Sequence, residues 1–176
     1  MALRRLNWLV RQIDWQHEQI PLFFPILKRH FMKKAMLLLS LFVAAYATQA
    51  AARDDIVNIS LADVLAMPEA EGKLDGSVKF FLAGQKTPKI VQKLDSDVSN
   101  QKTNGVGKSD EFGCKWAALS ALVQFQKSAK ERGANAVVDL VSYYKKNETR
   151  SDTTIECHAG SFVIGVALKG NYAKIQ

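Results

Sequence analysis

Residues 110–144 read DEFGCKWAALSALVQFQKSAKERGANAVVDLVSYY, and this stretch decides the fold. From 110 to 132, apolar residues recur at spacings of three and four. Their side of the helix carries Trp116, Ala118, Leu119, Leu122, Val123, Phe125 and Ala129, and the opposite side carries Ser120, Gln124, Lys127 and Glu131. Gly133 suits the left-handed position just past a helix end. The pattern predicts an amphipathic helix over residues 110–132 that covers a sheet.

Three stretches around this helix have the composition of strands. They are VKFFLAG (78–84), NAVVDLVSYY (135–144) and TTIECHAGSFVIGVALK (153–169). We expect a bulge at Gly160 in the last of them. The order β-α-β-β predicts an α+β domain over residues 78–176, a small sandwich in which one long helix packs on a mostly antiparallel sheet.

Two further segments are predicted to lie outside that unit. Residues 53–77 are expected to form an extended lead-in, with a short helix over 61–67 that stops before Pro68. Residues 85–109 are polar and contain Pro88, Gly105 and Gly107, which predicts a long connector.

The positive charge is concentrated at the N-terminal end. The chain has a net charge of +7, and residues 1–34 hold seven basic and two acidic side chains. Residues 53–176 therefore carry only +2. This distribution argues against nucleic acid as a partner, because such proteins carry a basic patch on the folded domain.

An export sequence begins at Met32. The stretch MKKAMLLLSLFVAAYATQAAARDD has two lysines, an apolar run and small residues up to Ala52, the layout of a cleavable signal peptide over 32–52. The apolar run is shorter than the roughly 20 residues that cross a bilayer. We therefore expect a soluble periplasmic protein cut near Ala52, with membrane contact only through the signal peptide. Residues 1–31 are an N-terminal extension, either a mis-assigned start or an amphipathic leader.

Cys114 and Cys157 are the two cysteines of the chain. In an exported protein a pair of cysteines is more often bridged than free. The alternative is a zinc or copper site built from Cys114, Cys157 and His158, since thiolates and imidazole suit those metals. The sequence shows no fourth ligand for such a site.

A second candidate surface follows the 135–144 strand. Tyr143, Tyr144, Lys145, Lys146 and Arg150 form either a cationic, aromatic rim for an anionic or glycan partner, or a solvated hairpin end. A catalytic role is not expected. His158 would have to act as the base, and its neighbour Cys157 points to the other face of a strand.

The stretch TNGVGKSDE (103–111) ends like a phosphate-binding loop but does not fit one. The motif needs a glycine five residues before Gly107, and Lys102 stands there instead. We therefore predict that no nucleotide binds, and that this stretch is a loop leading into the helix.

The spacing of these features carries a resemblance over residues 78–169. A Cys before a helix, then ERGANAVVDLVSYY, then a second Cys ahead of IGVALKG resembles the periplasmic domain of the Rcs outer-membrane stress sensor and the small YbjQ-type domains. The likeness to the Rcs sensor implies a Cys114–Cys157 disulfide. The likeness to YbjQ-type domains leaves two alternatives open, that the chain forms a homo-oligomer and that it binds a metal. The chain lacks the sensor's lipidated Cys and its second cysteine pair. The overall layout is also similar to exported bacterial proteins of unknown role, some labelled "excinuclease ATPase subunit".

Together these features predict a non-enzymatic periplasmic binding protein without a cofactor. Its partner is expected to be an envelope protein or a glycan, rather than nucleic acid or a nucleotide. A metal-binding protein is the alternative function.

Overall fold

The computed structural model describes residues 52–176. The predicted extension 1–31 and, apart from Ala52, the predicted signal peptide 32–52 lie outside the described residues. The strands are β1 (Asp55–Ser60), β2 (Lys79–Leu82), β3 (Ile90–Asn104), β4 (Ala136–Ser142), β5 (Thr154–Ala159) and β6 (Val163–Ile175). The helices are α1 (Leu61–Leu65), α2 (Pro68–Glu71) and α3 (Asp110–Glu131), with a short 3-10 turn at Tyr144–Lys146.

Strand β6 is the centre of one curled, six-stranded sheet. Strand β3 pairs along one edge of β6, while β5 and β4 share the other edge. Strand β1 lies outside β5, and β2 lies outside β4. Every pairing is antiparallel except that of β2 with β4. The predicted α+β class, with one long helix on a mostly antiparallel sheet, is confirmed.

Helix α3 forms the core with the inner face of this sheet. It packs against β1, β3, β5 and β6. Its predicted apolar residues Ala118, Leu122, Phe125 and Ala129 are all buried. The Phe125 ring meets Tyr172 of β6 with 6.0 Å between ring centroids. Because the strands alternate, residues facing away from α3 form a second, outer face.

The disulfide ties the first turns of α3 to β5. Cys114 and Cys157 are joined with 5.7 Å between their Cα atoms, and neither residue is exposed. The sequence expectation of a bridge is confirmed.

The ends of α3 follow local chemistry. The Ser109 side chain accepts a hydrogen bond from the Phe112 amide, as an N-cap residue does. Asp110 and Glu111 lie in the first turn, where negative charge is favoured. Gly133 has a φ of 66°, the left-handed geometry expected after the last turn.

Three sequence expectations are corrected by the sheet. Residues 85–109 are not a plain connector, since most of them form β3. The 53–77 lead-in contributes β1, which pairs with β5 and so belongs to the sheet. The single bulged strand over 153–169 is instead the hairpin of β5 and β6, with its turn at residues 160–162. The short helix expected at 61–67 is present as α1.

Within residues 52–176, no helix is both long and apolar enough to cross a membrane.

Candidate functional site

A groove on the outer face of the sheet combines several chemically active side chains. We call it the His158 groove; it has a volume of about 570 Å³. Its lining includes Arg53, Asp54, Lys102, Tyr144, Lys145, His158, Phe162, Val163 and Gly165.

Strand register builds the floor of this groove. Ile56 of β1 pairs with His158 of β5, His158 pairs with Gly165 of β6, and Gly165 pairs with Lys102 of β3. These four residues form one row across the outer face. Since Gly165 has no side chain, the row is open at its middle. A Cβ on Gly165 would lie 3.4 Å from Cγ of Lys102, so the lysine stem runs beside this opening.

His158 lies between two carboxylates at the base of the groove. Its Nδ1 is 2.7 Å from Oδ1 of Asp54, and its Nε2 is 3.0 Å from Oε1 of Glu156. The His158 side chain is only 10% exposed. The hydrogen bond with His158 is the main reason that the pKa of Asp54 lies below its usual range, with smaller contributions from Tyr144 and Lys145.

Tyr144 covers the His158 ring from the outer side. The two rings stack with 3.3 Å between centroids and 14° between planes. The Tyr144 hydroxyl donates to Oδ2 of Asp54 at 3.1 Å, and the Lys145 ammonium contacts the same oxygen at 3.3 Å. These contacts bind the β4–β5 connection to the segment that precedes β1.

Most charges around the groove are paired with one another. Arg53 contacts Asp55 and Asp110, and Lys145 contacts Asp54. Among residues 52–176, no carboxylate lies within ion-pair distance of Lys102. Lys102 therefore gives the groove an uncompensated positive charge.

Exposed apolar side chains stand at one end of the groove. Phe162 is 75% exposed at the β5–β6 turn, and its neighbour Val163 is 51% exposed. Large apolar groups that are adjacent and exposed, as Phe162 and Val163 are, are typical of contact surfaces. Ile56 is also exposed, at 60%, but it lies at the β1 end of the floor row and does not line the groove.

The predicted cationic rim is divided by the structure. Tyr144 and Lys145 line the His158 groove, whereas Tyr143 and Arg150 lie in a separate cluster. There Lys169 lies over the Tyr143 ring and pairs with Glu148, and Arg150 pairs with Asp139. Lys146 is exposed and lines neither surface. The five residues therefore do not form one rim.

The three residues of the alternative metal site are not brought together. The sulfurs of Cys114 and Cys157 are bonded to each other in the core, whereas His158 faces the outer side of β5. The two carboxylates beside His158 approach different ring nitrogens and so do not converge on one point.

The sequence reasoning missed most of the groove, including Asp54, Lys102 and Phe162, and it also missed Glu156 beside the His158 ring. The alternation of side chains along β5 could have indicated Glu156, because a buried Cys157 places Glu156 and His158 together on the other face of the strand. No local pattern indicates that Asp54 or Lys102 joins them. Strand β1, which directly follows Asp54, and β3, which contains Lys102, reach β5 and β6 only through long-range pairing.

Fold and site together define a disulfide-linked α+β domain with an open, amphipathic groove on its outer sheet face. Comparison with protein-family models, curated proteins and solved structures gave no match for this chain.

Proposed function

We propose that this chain is an exported, non-enzymatic binding protein of the cell envelope, and that it holds a partner protein in the His158 groove. The observation that carries the proposal is the pairing of exposed Phe162 and Val163 with the uncompensated charge of Lys102. Together they suit a partner segment with a large apolar residue next to a carboxylate.

The hydrogen-bond inventory of the groove favours a protein over a glycan. A sugar offers many hydroxyl groups, so its recognition needs several free donors and acceptors. In this groove the polar groups of Asp54, Tyr144 and His158 already bond to one another or to Glu156. Besides the Ser161 hydroxyl, what remains available is apolar surface and the Lys102 cation, which fits an apolar side chain and an acidic one.

Two observations support export. The sequence MKKAMLLLSLFVAAYATQAAARDD has signal-peptide layout, and the domain contains a buried disulfide, which persists in oxidising compartments. Expression of the full chain in a Gram-negative host, followed by fractionation and N-terminal sequencing, tests this part. We expect a periplasmic product that begins at Arg53. A cytoplasmic product with an intact leader would contradict export.

Site-specific photo-crosslinking in the same host tests the contact surface. A photoreactive amino acid at Val163 should give a discrete protein adduct, while one at Val91, which is similarly exposed at 55%, should not. The adduct should weaken with Lys102→Gln and persist with Lys127→Gln, an exposed control on α3. Equal adducts at Val163 and Val91, or no adduct at Val163, would contradict the proposal that the partner binds in the His158 groove.

Direct binding with defined probes tests the chemistry of the partner. A blocked peptide containing Phe-Asp, its Phe-Asn counterpart and an oligogalacturonate can each be titrated into ¹⁵N-labelled protein. We expect saturable shifts at Phe162 and Gly165 with the Asp peptide, weakened roughly two- to fivefold by Asn or by Lys102→Gln, the range of a surface ion pair. Binding of the oligogalacturonate alone would favour a glycan partner instead, and no groove shift with any probe would refute the assigned chemistry.

A further inference from the structure

The contacts of His158 distinguish its two protonation states. An ionised carboxylate is only an acceptor, and imidazole has two N–H donors only when it is protonated. Nδ1 and Nε2 each face a carboxylate oxygen, at 2.7 and 3.0 Å. Both contacts are therefore hydrogen bonds only in the charged form. When the ring is neutral, one nitrogen presents a lone pair to a carboxylate oxygen, and that contact is repulsive.

The neighbouring loop contacts both His158 and Asp54. We call residues 143–147, which include the 3-10 turn, the Tyr144 loop. Lys145 and Lys146 have φ values of 50° and 68°, a left-handed backbone that residues with a Cβ adopt only at an energetic cost. At its start the loop is held on β6, where the Tyr143 N–H donates to the Ala167 carbonyl at 2.7 Å and Lys169 lies over the Tyr143 ring. Beyond Tyr143, its side-chain contacts run from Tyr144 and Lys145 to His158 and Asp54.

Several charged or titratable groups face His158, and their distances show which of them interact most strongly with its ring. Asp54 precedes β1 and Glu156 lies on β5, and both touch the ring directly. The opposing cations are less direct. Lys145 sits over the Tyr144 ring and bonds to Asp54, Arg53 is paired with Asp55 and Asp110, and Lys102 lies beyond Gly165. Because Coulomb energy falls with distance, the two touching carboxylates interact more strongly with the His158 ring than the three cations do.

We propose that His158 is a pH-dependent latch for the His158 groove. Protonation of the ring engages Asp54 and Glu156 and holds the Tyr144 loop on the sheet, where it forms a wall of the groove. Loss of the proton opens one carboxylate contact and loosens the loop. Histidine is the side chain whose ordinary charge change falls between pH 5 and 8, a range that an envelope protein meets when the pH outside the cell varies.

The latch deepens the proposed function and rests on it for its purpose, because the loop is a wall of the site where the partner is proposed to bind. Mild acid should strengthen that binding in two ways. The wall is in place, and the charged imidazole adds to the positive charge that an acidic partner meets.

The loop can be tested without any ligand. We propose to follow the His158 ring and the backbone amides of the Tyr144 loop by NMR, from pH 8 to pH 5 at constant ionic strength, in protein processed from the full chain. His158 is the only histidine in residues 52–176, so its ring resonances are identified directly. The loop amides should titrate with the midpoint of the ring, and their hydrogen exchange, corrected for intrinsic pH dependence, should be slower at pH 5.

Two variants keep the test decisive. His158→Gln should abolish the loop titration, and Tyr144→Phe, which removes only the hydroxyl bonded to Asp54, should reduce the difference in exchange between the two pH values. Loop amides that stay unchanged while the ring titrates, or that titrate equally in His158→Gln, would overturn the latch. This NMR test contains no partner, so its result does not depend on whether the peptide titration succeeds. Conversely, a loop that does not respond to pH would leave the proposed binding function in place, without control by pH.

Discussion

Cys157 and His158 are adjacent in β5 and point to opposite faces of the sheet: the sulfur of Cys157 is bonded to Cys114 beneath α3, and the ring of His158 forms the base of the groove. The same strand is thus covalently fixed on its inner side and exposes the candidate site on its outer side. A bond that immobilises β5 also limits the movement of the groove histidine.

The first prediction concerns this disulfide. The Cys114→Ser, Cys157→Ser double variant should be less stable than the wild type by about 4 kcal/mol, because the bridge closes a long loop and restricts the unfolded chain. The separation of the cysteines is 43 residues. Thermal unfolding under oxidising conditions measures the difference, and reductant should lower the melting temperature of the wild type only. Equal melting of the two proteins without reductant, or two free thiols in denatured, non-reduced wild type, would contradict the structural role.

The second prediction concerns the close contact of β6 with β4. A methyl group at Gly170 would lie 2.8 Å from both Leu140 Cδ2 and Val137 Cγ1, and both partners are fully buried. Gly170→Ala should therefore destabilise the domain by about 1–3 kcal/mol in urea unfolding, the usual cost of overpacking. Gly72→Ala is the matched control, because its φ is −84° and no atom lies within 4 Å of a new Cβ. It should be neutral or slightly stabilising; similar losses in both variants would show that the contact does not decide the effect.

The third prediction concerns acid. The His158 contact lowers the pKa of Asp54 in the folded protein from an unfolded value near 3.8. A carboxyl with a lowered folded pKa stabilises the protein above the unfolded pKa, and this contribution is lost as the pH falls through the folded pKa. Asp54→Asn should therefore have a shallower fall in unfolding free energy below about pH 4 than the wild type. Asp152→Asn, an exposed carboxyl without an ion pair among residues 52–176, should keep the wild-type slope. Parallel curves for wild type and Asp54→Asn would rule out the contact in solution.

The fourth prediction concerns alkali. Burial raises the pKa of Tyr172 to about 12 from an ordinary value of 10.0. The neutral phenol thus stabilises the fold fully below pH 10, and this contribution is lost as the pH rises toward 12. Tyr172→Phe should be less stable than the wild type at neutral pH, because it lacks the hydrogen bond from the hydroxyl to Asp97. Between pH 10 and 12 its unfolding free energy should fall less than that of the wild type. Denaturant unfolding across this range checks the slope, with Tyr143→Phe as the control. An unchanged alkaline decline in Tyr172→Phe would assign it to other groups.

The pairing within the sheet explains why strands β3 and β1 were not predicted from the sequence. Strand β3 consists largely of polar and charged residues because it is an edge strand with much of its surface in water; within it only Ser99 is fully buried. Composition alone therefore favoured a connector. Its strand conformation comes from pairing with β6, whose partner residues lie far along the chain. Similarly, β1 became recognisable only through its register with β5.

The sequence by itself determined helix α3, the glycine just past its end, the apolar strands beside it and the α+β class. These depend on residues a few positions apart, such as the spacing of Leu122 and Phe125 along the helix and Gly133 after its last turn. Only the tertiary structure decided the groove. Asp54 and His158 are 104 residues apart, and their contact exists because β1 pairs with β5 in a particular register. A one-residue shift of that register would turn the outer face inward, and no local pattern in the chain carries this information.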